Sequence, residues 1–269
     1  MTKLAIIAGQ GRIPVQIAEM AVSMGHDVVV MPIRGQADAD FSAFVSLPIT
    51  LGAIGGTLAL MQEQGCTQLV MAGKVVRPSL TALKPDASAL KLLGKAMTRG
   101  DDSLLRVISD FFATNGVETL APDQFMPDRL APAGLLAGTA PDATQKGDIA
   151  LARQVLEALG GLDVGQAVVV QAGRVLAIEA AEGTNAMLRR AAGLVDEIAS
   201  AAVMVKLPKS GQDRKLDMPV IGVATLESAT AAGVGVIAVQ AGGVLFAEAA
   251  PELRAAAQAQ GVTLLGLEG

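Results

Sequence analysis

Residues 4–14 read LAIIAGQGRIP, and the order of those residue types decides the fold. An unbroken apolar run from Leu4 to Ala8 suits a strand covered on both faces, as in a parallel sheet. GQGR at 9–12 breaks the run, and a helix is then expected from about Pro14 to Met24. Proline suits a first helical turn, where its missing N–H has no partner to lose, and Gly25 suits the left-handed residue that closes a helix. The alternation continues outward from there. HDVVVMPIR (26–34) reads as a second strand, a helix follows around Thr57–Gln64, and QLVMAG (68–73) reads as a third strand. DDSLLRVISDFFATNG (101–116) places Leu104, Leu105, Ile108, Phe111 and Phe112 at helical spacing, with Gly116 as its stop. VETLAP (117–122) returns as a strand. Strands alternating with helices imply an α/β protein whose N-terminal part is a Rossmann-like, doubly wound sheet.

Between Pro122 and Gly147 the periodicity fades and four prolines appear, so a linker is expected there. The expected domains are 1–135, Rossmann-like, and 136–269, a C-terminal α/β domain. The C-terminal part contains an internal repeat: VQAGRVLAIEAA (170–181) recurs as VQAGGVLFAEAA (239–250), identical at nine of twelve positions. Each copy reads as strand, glycine turn, strand, then helix.

Composition removes whole classes of function. A net charge of −5 and 2% aromatics provide neither a basic face for phosphate backbones nor rings for stacking bases, so no nucleic-acid partner is expected. One cysteine, Cys66, excludes an internal disulfide and any multi-cysteine zinc site. One histidine, His26, excludes His-rich metal centres and leaves a turn residue at the start of a strand. Metal chemistry would have to use carboxylates, which points to Mg²⁺ or Mn²⁺. Every apolar run is interrupted by Gln, Glu, Arg or Gly, short of the ~20 residues that a membrane-spanning helix needs. A soluble, cytoplasmic chain is expected.

Several stretches have the residue types for a phosphorylated ligand. Gly9, Gly11 and Arg12 sit where a Rossmann phosphate loop would, with backbone N–H groups and a helix start behind them. Pro14 replaces the third glycine, and Arg34 stands where an NAD site wants an acid, so an NADP-binding oxidoreductase is an alternative. AGKVVRPSL (72–80) puts Lys74 and Arg77 at the carboxyl end of the third strand, where doubly wound sheets bind ligands. Asp101 and Asp102 open a helix and either serve its dipole or accept from a ribose or base. EGTNAMLRR (182–190) offers Thr184 as a helix cap and Glu182 as a metal ligand. From Lys206 to Asp217, six of twelve residues are charged, against 17% of the chain. Lys206, Lys209, Arg214 and Lys215 surround Asp213 and Asp217 there. The cluster reads either as a solvated loop or as a phosphate site with an aspartate for Mg²⁺ or water.

In their order and spacing, KLAIIAGQGRIPVQIA, AGKVVRP, GDDSLLR, EGTNAMLRR and KSGQDRKLDMPVIGVATL resemble the LpxI-type UDP-2,3-diacylglucosamine pyrophosphatases of lipid A biosynthesis. The resemblance runs nearly end to end. It implies a Mg²⁺-dependent hydrolase that releases UMP and 2,3-diacylglucosamine 1-phosphate, with residues 1–135 as the nucleotide-binding domain and 136–269 as the catalytic and lipid-binding one. Asp217 falls on the family's catalytic aspartate, with Asp213 and Glu182 as auxiliary metal ligands and Lys206, Lys209 and Thr184 as phosphate contacts. A homodimer and peripheral contact with the inner membrane are further implications. The non-enzyme alternative is a nucleotide-sugar or lipid-binding module with an inactive site.

Overall fold

A computed structural model describes residues 2–76, 85–96, 101–196 and 198–269. The chain forms two compact units: Met1–Met126 with Asp213–Asp217, and Pro127–Gln212 with Met218–Gly269.

The first unit runs β1 (Lys3–Ala8), α1 (Ile13–Ser23), β2 (Asp27–Pro32), β3 (Val45–Ser46), α2 (Ile54–Glu63), β4 (Gln68–Ala72), α3 (Ala87–Ala96), α4 (Asp101–Thr114) and β5 (Glu118–Thr119). Its strands form one parallel sheet of order β3-β2-β1-β4-β5. The reversal of direction at β1 is the doubly wound arrangement expected from LAIIAGQGRIP. Period-two alternation distributes the core over both faces. Leu4, Ile6, Val28 and Val30 pack with Ile17 and Ala21 of α1, and Ala5, Val29, Met31 and Leu69 pack with Met61 of α2 and Phe112 of α4. Gly25 and Gly116 take φ of +87° and +85°, closing α1 and α4 as their positions predict.

The second unit runs β6 (Gly134–Ala137), α5 (Ala143–Gly160), β7 (Ala167–Gln171), β8 (Arg174–Ile178), α6 (Thr184–Ala191), β9 (Ala202–Lys206), β10 (Val220–Ile221), α7 (Val223–Ala231), β11 (Val234–Gln240), β12 (Leu245–Phe246), α8 (Ala250–Ala259) and β13 (Thr263–Leu267). A six-stranded sheet has the order β6-β13-β11-β9-β7-β8. Strands β13, β11 and β9 are parallel, and β6, β7 and β8 are joined antiparallel at the two ends. Val168, Val170, Val203 and Val205 face α5, while Val169, Met204 and Ile237 face the layer of α6, α7 and α8. Among the described residues, no helix is long and apolar enough to cross a membrane.

Two expectations change. The proline-rich stretch 122–147 is more than a linker. Gly134 and Leu135, assigned above to the N-terminal domain, pair with β13, and Asp142 and Gln145 form a reciprocal capping box that starts α5. The repeat does not produce two equivalent units. Its first copy is a hairpin, β7–β8, turning on Ala172 and Gly173 with both φ positive. In the second copy, β11 is bonded on one side to β9 and on the other to β13. No edge is left for a hairpin partner, so β12 leaves the sheet and pairs in parallel with β10.

The hairpin turn has an internal support. Asp148 of α5 is 1% exposed, and its carboxylate accepts from the N–H groups of Ala172 (2.9 Å) and Gly173 (2.7 Å). Ala172 holds φ +51°, a conformation disfavoured for a residue with a Cβ. Asp148→Ala is expected to cost about 2 kcal/mol, because hydrogen bonds to a charged group are worth roughly 1.5–3 kcal/mol and two turn N–H groups lose their buried acceptor. Urea denaturation measures it, and a loss below about 0.5 kcal/mol would mean the turn holds itself.

Candidate active site

In the first unit, the loops that follow β1, β2 and β4 meet at the carboxyl edge of the sheet. Gly9 N–H donates to Ala72 O (2.8 Å), and Gln10 and Lys74 exchange backbone bonds of 2.8 and 3.1 Å. Gly11 N–H donates to Asp38 Oδ1 (2.7 Å), and the Gln36 side chain bonds both the N–H and the C=O of Val76. The backbones approach so closely that a Cβ on Gly9 would lie 2.6 Å from Lys74 O, and one on Gly73 2.7 Å from Gln10 O.

This corrects the expectation of an open phosphate cradle. The N–H groups of Gly9, Gln10 and Gly11 are all taken by internal acceptors, and Gly9 and Gly73 serve the approach of two loops. Three of the four N–H groups from Gly9 to Arg12 are therefore engaged against the dinucleotide alternative as well. What the edge does present is side-chain charge, since Arg12, Arg34, Asp38 and Lys74 are all exposed. Arg77 lies outside the described residues, as do the side chains of Asp101 and Asp102. Asp38 and Gln36 have no motif that would single them out in sequence, because only the tertiary meeting of the loops gives them partners.

The charged stretch resolves into matched pairs. In the second unit, Lys206 closes β9 and pairs with Glu179 (3.6 Å), and Lys209 bonds Asp163. The Gln212 amide oxygen accepts from Lys209 N–H and from Gln166 Nε2, both at 2.9 Å, fixing the loop at its base. In the first unit, Arg214 bonds Asp123 and Lys215 lies 3.7 Å from Glu118. All four cations of the stretch therefore meet a carboxylate from elsewhere in the chain. They hold the segment down and are not a pool of uncompensated positive charge.

Asp213 and Asp217 share one turn: Leu216 N–H and Asp217 N–H donate to Asp213 O at 2.9 and 3.4 Å, and Asp213 Oδ1 accepts from Lys215 N–H at 3.0 Å. Asp217 is exposed between the buried side chains of Leu216 and Met218. Two anchored cations before it and two buried side chains around it fix where its carboxylate emerges.

Thr184 is not the cap expected of it. Gly183, with φ +83°, occupies the N-cap of α6, and Thr184 is the first helical residue. Its hydroxyl donates to Glu179 Oε1 (2.9 Å) and accepts from Lys206 Nζ (2.6 Å), so Glu179, Thr184 and Lys206 form one network. Glu182 is engaged differently from the metal role expected of it. Its carboxylate accepts from Arg190 (2.7 Å) and from Ala180 N–H (3.2 Å). The Arg190 hydrogen bond lowers its pKa below the usual glutamate range. The pairing therefore contributes above the unfolded-state pKa and fades as pH falls through the lowered folded value. Among the described residues, no three His, Cys, Asp or Glu side chains gather as a metal-holding group. Mg²⁺ does not require such a cage: it keeps several waters and takes one or two carboxylates together with substrate phosphates. The oxygen donors of Asp213 and Asp217 are of that kind.

The geometry by itself defines two α/β units, a run of paired cations and an exposed aspartate at a clamped turn. Comparison with known proteins specifies the family. The LpxI N-terminal domain matches residues 3–129 and the LpxI C-terminal domain residues 132–265. A UDP-2,3-diacylglucosamine pyrophosphatase LpxI of Caulobacter vibrioides is 37% identical over 276 aligned residues, covering 100% of this chain and 98% of that one. The chain belongs to the LpxI family and is an enzyme. Solved structures match faintly. A UDP-glucose 4-epimerase from Stenotrophomonas maltophila is 17% identical over 95% of this chain and 93% of its own, with a TM-score of 0.29. The UDP-glucose 4-epimerase of Thermus thermophilus is 17% identical over 53% and 41%, with a TM-score of 0.27. Scores this low carry no argument about fold or ligand.

Proposed function

We propose that the protein hydrolyses the diphosphate of UDP-2,3-diacylglucosamine, releasing UMP and 2,3-diacylglucosamine 1-phosphate, in lipid A biosynthesis. The observation that carries this reading is the 37% identity to the Caulobacter pyrophosphatase, which extends through both domains. The residues supply a matching chemistry. Phosphoanhydride hydrolysis needs positioning and charge neutralisation more than a covalent nucleophile, so a site without histidine or a reactive cysteine suffices.

Asp217 orients the attacking water, with Asp213 beside it on the same turn. Lys206 and Lys209 bind phosphate oxygens, with the Thr184 hydroxyl bridging Lys206 to Glu179. Magnesium, held by Asp217, Asp213 and the diphosphate itself, would neutralise charge on the transferring phosphoryl group. The acyl chains tie the substrate to a membrane, so the enzyme works at the inner-membrane surface, as a homodimer.

Water attacks the β-phosphorus, the one attached to the sugar. Turnover in H₂¹⁸O is expected to place the label in the lipid phosphate and leave UMP unlabelled. Label in UMP would move the attack to the α-phosphorus and reassign the water-orienting group.

A further inference from the structure

Glu179 was not singled out by any motif, yet it sits at the centre of the network around Lys206. It follows β8, on the sheet edge where β9 ends at Lys206 and α6 begins at Thr184. Glu179 and Lys206 are 8% and 4% exposed, a charged pair almost withdrawn from water. The carboxylate accepts from the Thr184 hydroxyl (2.9 Å) and from Gln166 N–H (3.3 Å), and its Oε2 lies 3.6 Å from Lys206 Nζ. Its backbone is fixed as well: at Gly165, with φ +61°, a Cβ would come within 2.0 Å of Glu179 O.

The repeat supplies a comparison inside the same chain. Glu248 occupies the position of Glu179 in the second copy, and its carboxylate accepts from Val223 N–H (3.0 Å) at the start of α7. There the glutamate serves a backbone donor. In the first copy the same glutamate also accepts a backbone N–H, that of Gln166, but is turned in addition to a hydroxyl and an ammonium. A lone hydroxyl rotor points in many directions, and a lone lysine has four flexible side-chain bonds. Glu179 removes both freedoms.

We propose that Glu179 is a positioning residue for anion binding: directly and through the Thr184 hydroxyl it holds Lys206 Nζ aimed for a substrate phosphate at the start of α6. The inference rests on the reading of Lys206 as a phosphate contact. Glu179 itself does not touch the substrate, because an anion beside an anion would repel it. Its effect is on phosphate affinity, and it acts through Lys206.

The test compares wild type, Glu179→Gln, Glu179→Asp, Lys206→Met and the Glu179→Gln/Lys206→Met pair in two assays. One is binding of 2,3-diacylglucosamine 1-phosphate in detergent micelles by calorimetry; the other is steady-state UMP release. Glu179→Gln is expected to weaken lipid-phosphate binding and raise KM by about tenfold or more, with a smaller change in kcat, the pattern of lost ground-state binding. Added to Lys206→Met, it changes affinity less than about twofold, because the residue it acts through is already gone. Should Glu179→Gln fail to fold, Glu179→Asp keeps the charge but draws it back by one methylene, and the same comparison is made with it. A folded Glu179 variant with wild-type affinity overturns the inference, as does an effect undiminished beside Lys206→Met. A wild-type protein that binds the lipid phosphate but releases no UMP overturns the hydrolase reading alone, and the binding comparison still decides on Glu179. No binding of the lipid phosphate by wild type overturns the inference outright.

Discussion

Replacing Asp217 with asparagine is expected to lower kcat for UMP release by roughly 10²–10⁴-fold, the usual contribution of a positioned acid or base. Stability should change by about 0.5 kcal/mol or less, as for most exposed positions. The separation follows from how the turn is built. It is closed by the backbone N–H groups of Leu216 and Asp217 on Asp213 O, and it is anchored by the buried side chains of Leu216 and Met218. The Arg214 and Lys215 pairs with Asp123 and Glu118 add to that anchoring. Asparagine keeps its size and one of its oxygens but neither attracts a metal nor accepts a proton. Kinetics beside thermal denaturation measure the two effects. An Asp217→Asn enzyme at wild-type rate would move the catalytic role to another carboxylate, with Asp213 the first to examine.

Lys206→Ala should have the largest effect on stability, about 3–5 kcal/mol, the usual result of removing one partner of a buried ion pair. Two terms compete in such a pair. Desolvation opposes burying either charge, and mutual attraction with hydrogen bonds offsets it while both are present. The Lys206 and Glu179 side chains are 6% and 10% exposed, so the survivor cannot simply turn to water. Glu179 would be left as a buried carboxylate facing the Thr184 hydroxyl and Gln166 N–H without its cation. Lys206→Met with Glu179→Gln, which removes both charges, is expected to recover most of that loss. Urea denaturation of the single and double variants decides between the terms. A loss below about 1 kcal/mol for Lys206→Ala would mean that the pair is hydrated and makes only the small contribution of a surface bridge.

The parts of the fold legible in sequence were those fixed by local chemistry. LAIIA followed by glycines and Pro14 gave a strand, a turn and a helix start, and the glycines at 25 and 116 marked helix ends. What one chain segment needs from another was not legible. The glycines at 9 and 73 look like a phosphate loop until their backbones are seen in contact. The two repeat copies look alike until one strand proves to have a free edge and the other none. Asp142 and Gln145 could have been read as a capping box, since their spacing is the signature itself. The candidate site divides in the same way. Asp217, Lys206 and Thr184 stand in motifs, but the acids that meet the cations, Glu179, Asp163, Asp123 and Glu118, are distant in sequence from the charged stretch and belong to no pattern with it. A cluster of positive charge invites an anionic ligand on paper; in the folded chain its first anions are the protein's own.

The most direct test of the central claim is UMP release from UDP-2,3-diacylglucosamine by the purified protein, with Mg²⁺ and with excess EDTA. UMP is predicted to appear together with 2,3-diacylglucosamine 1-phosphate in Mg²⁺ and to stop on chelation. Folded protein that binds the substrate and yields no UMP in Mg²⁺ or Mn²⁺ would contradict the hydrolase reading and leave a binding module in its place.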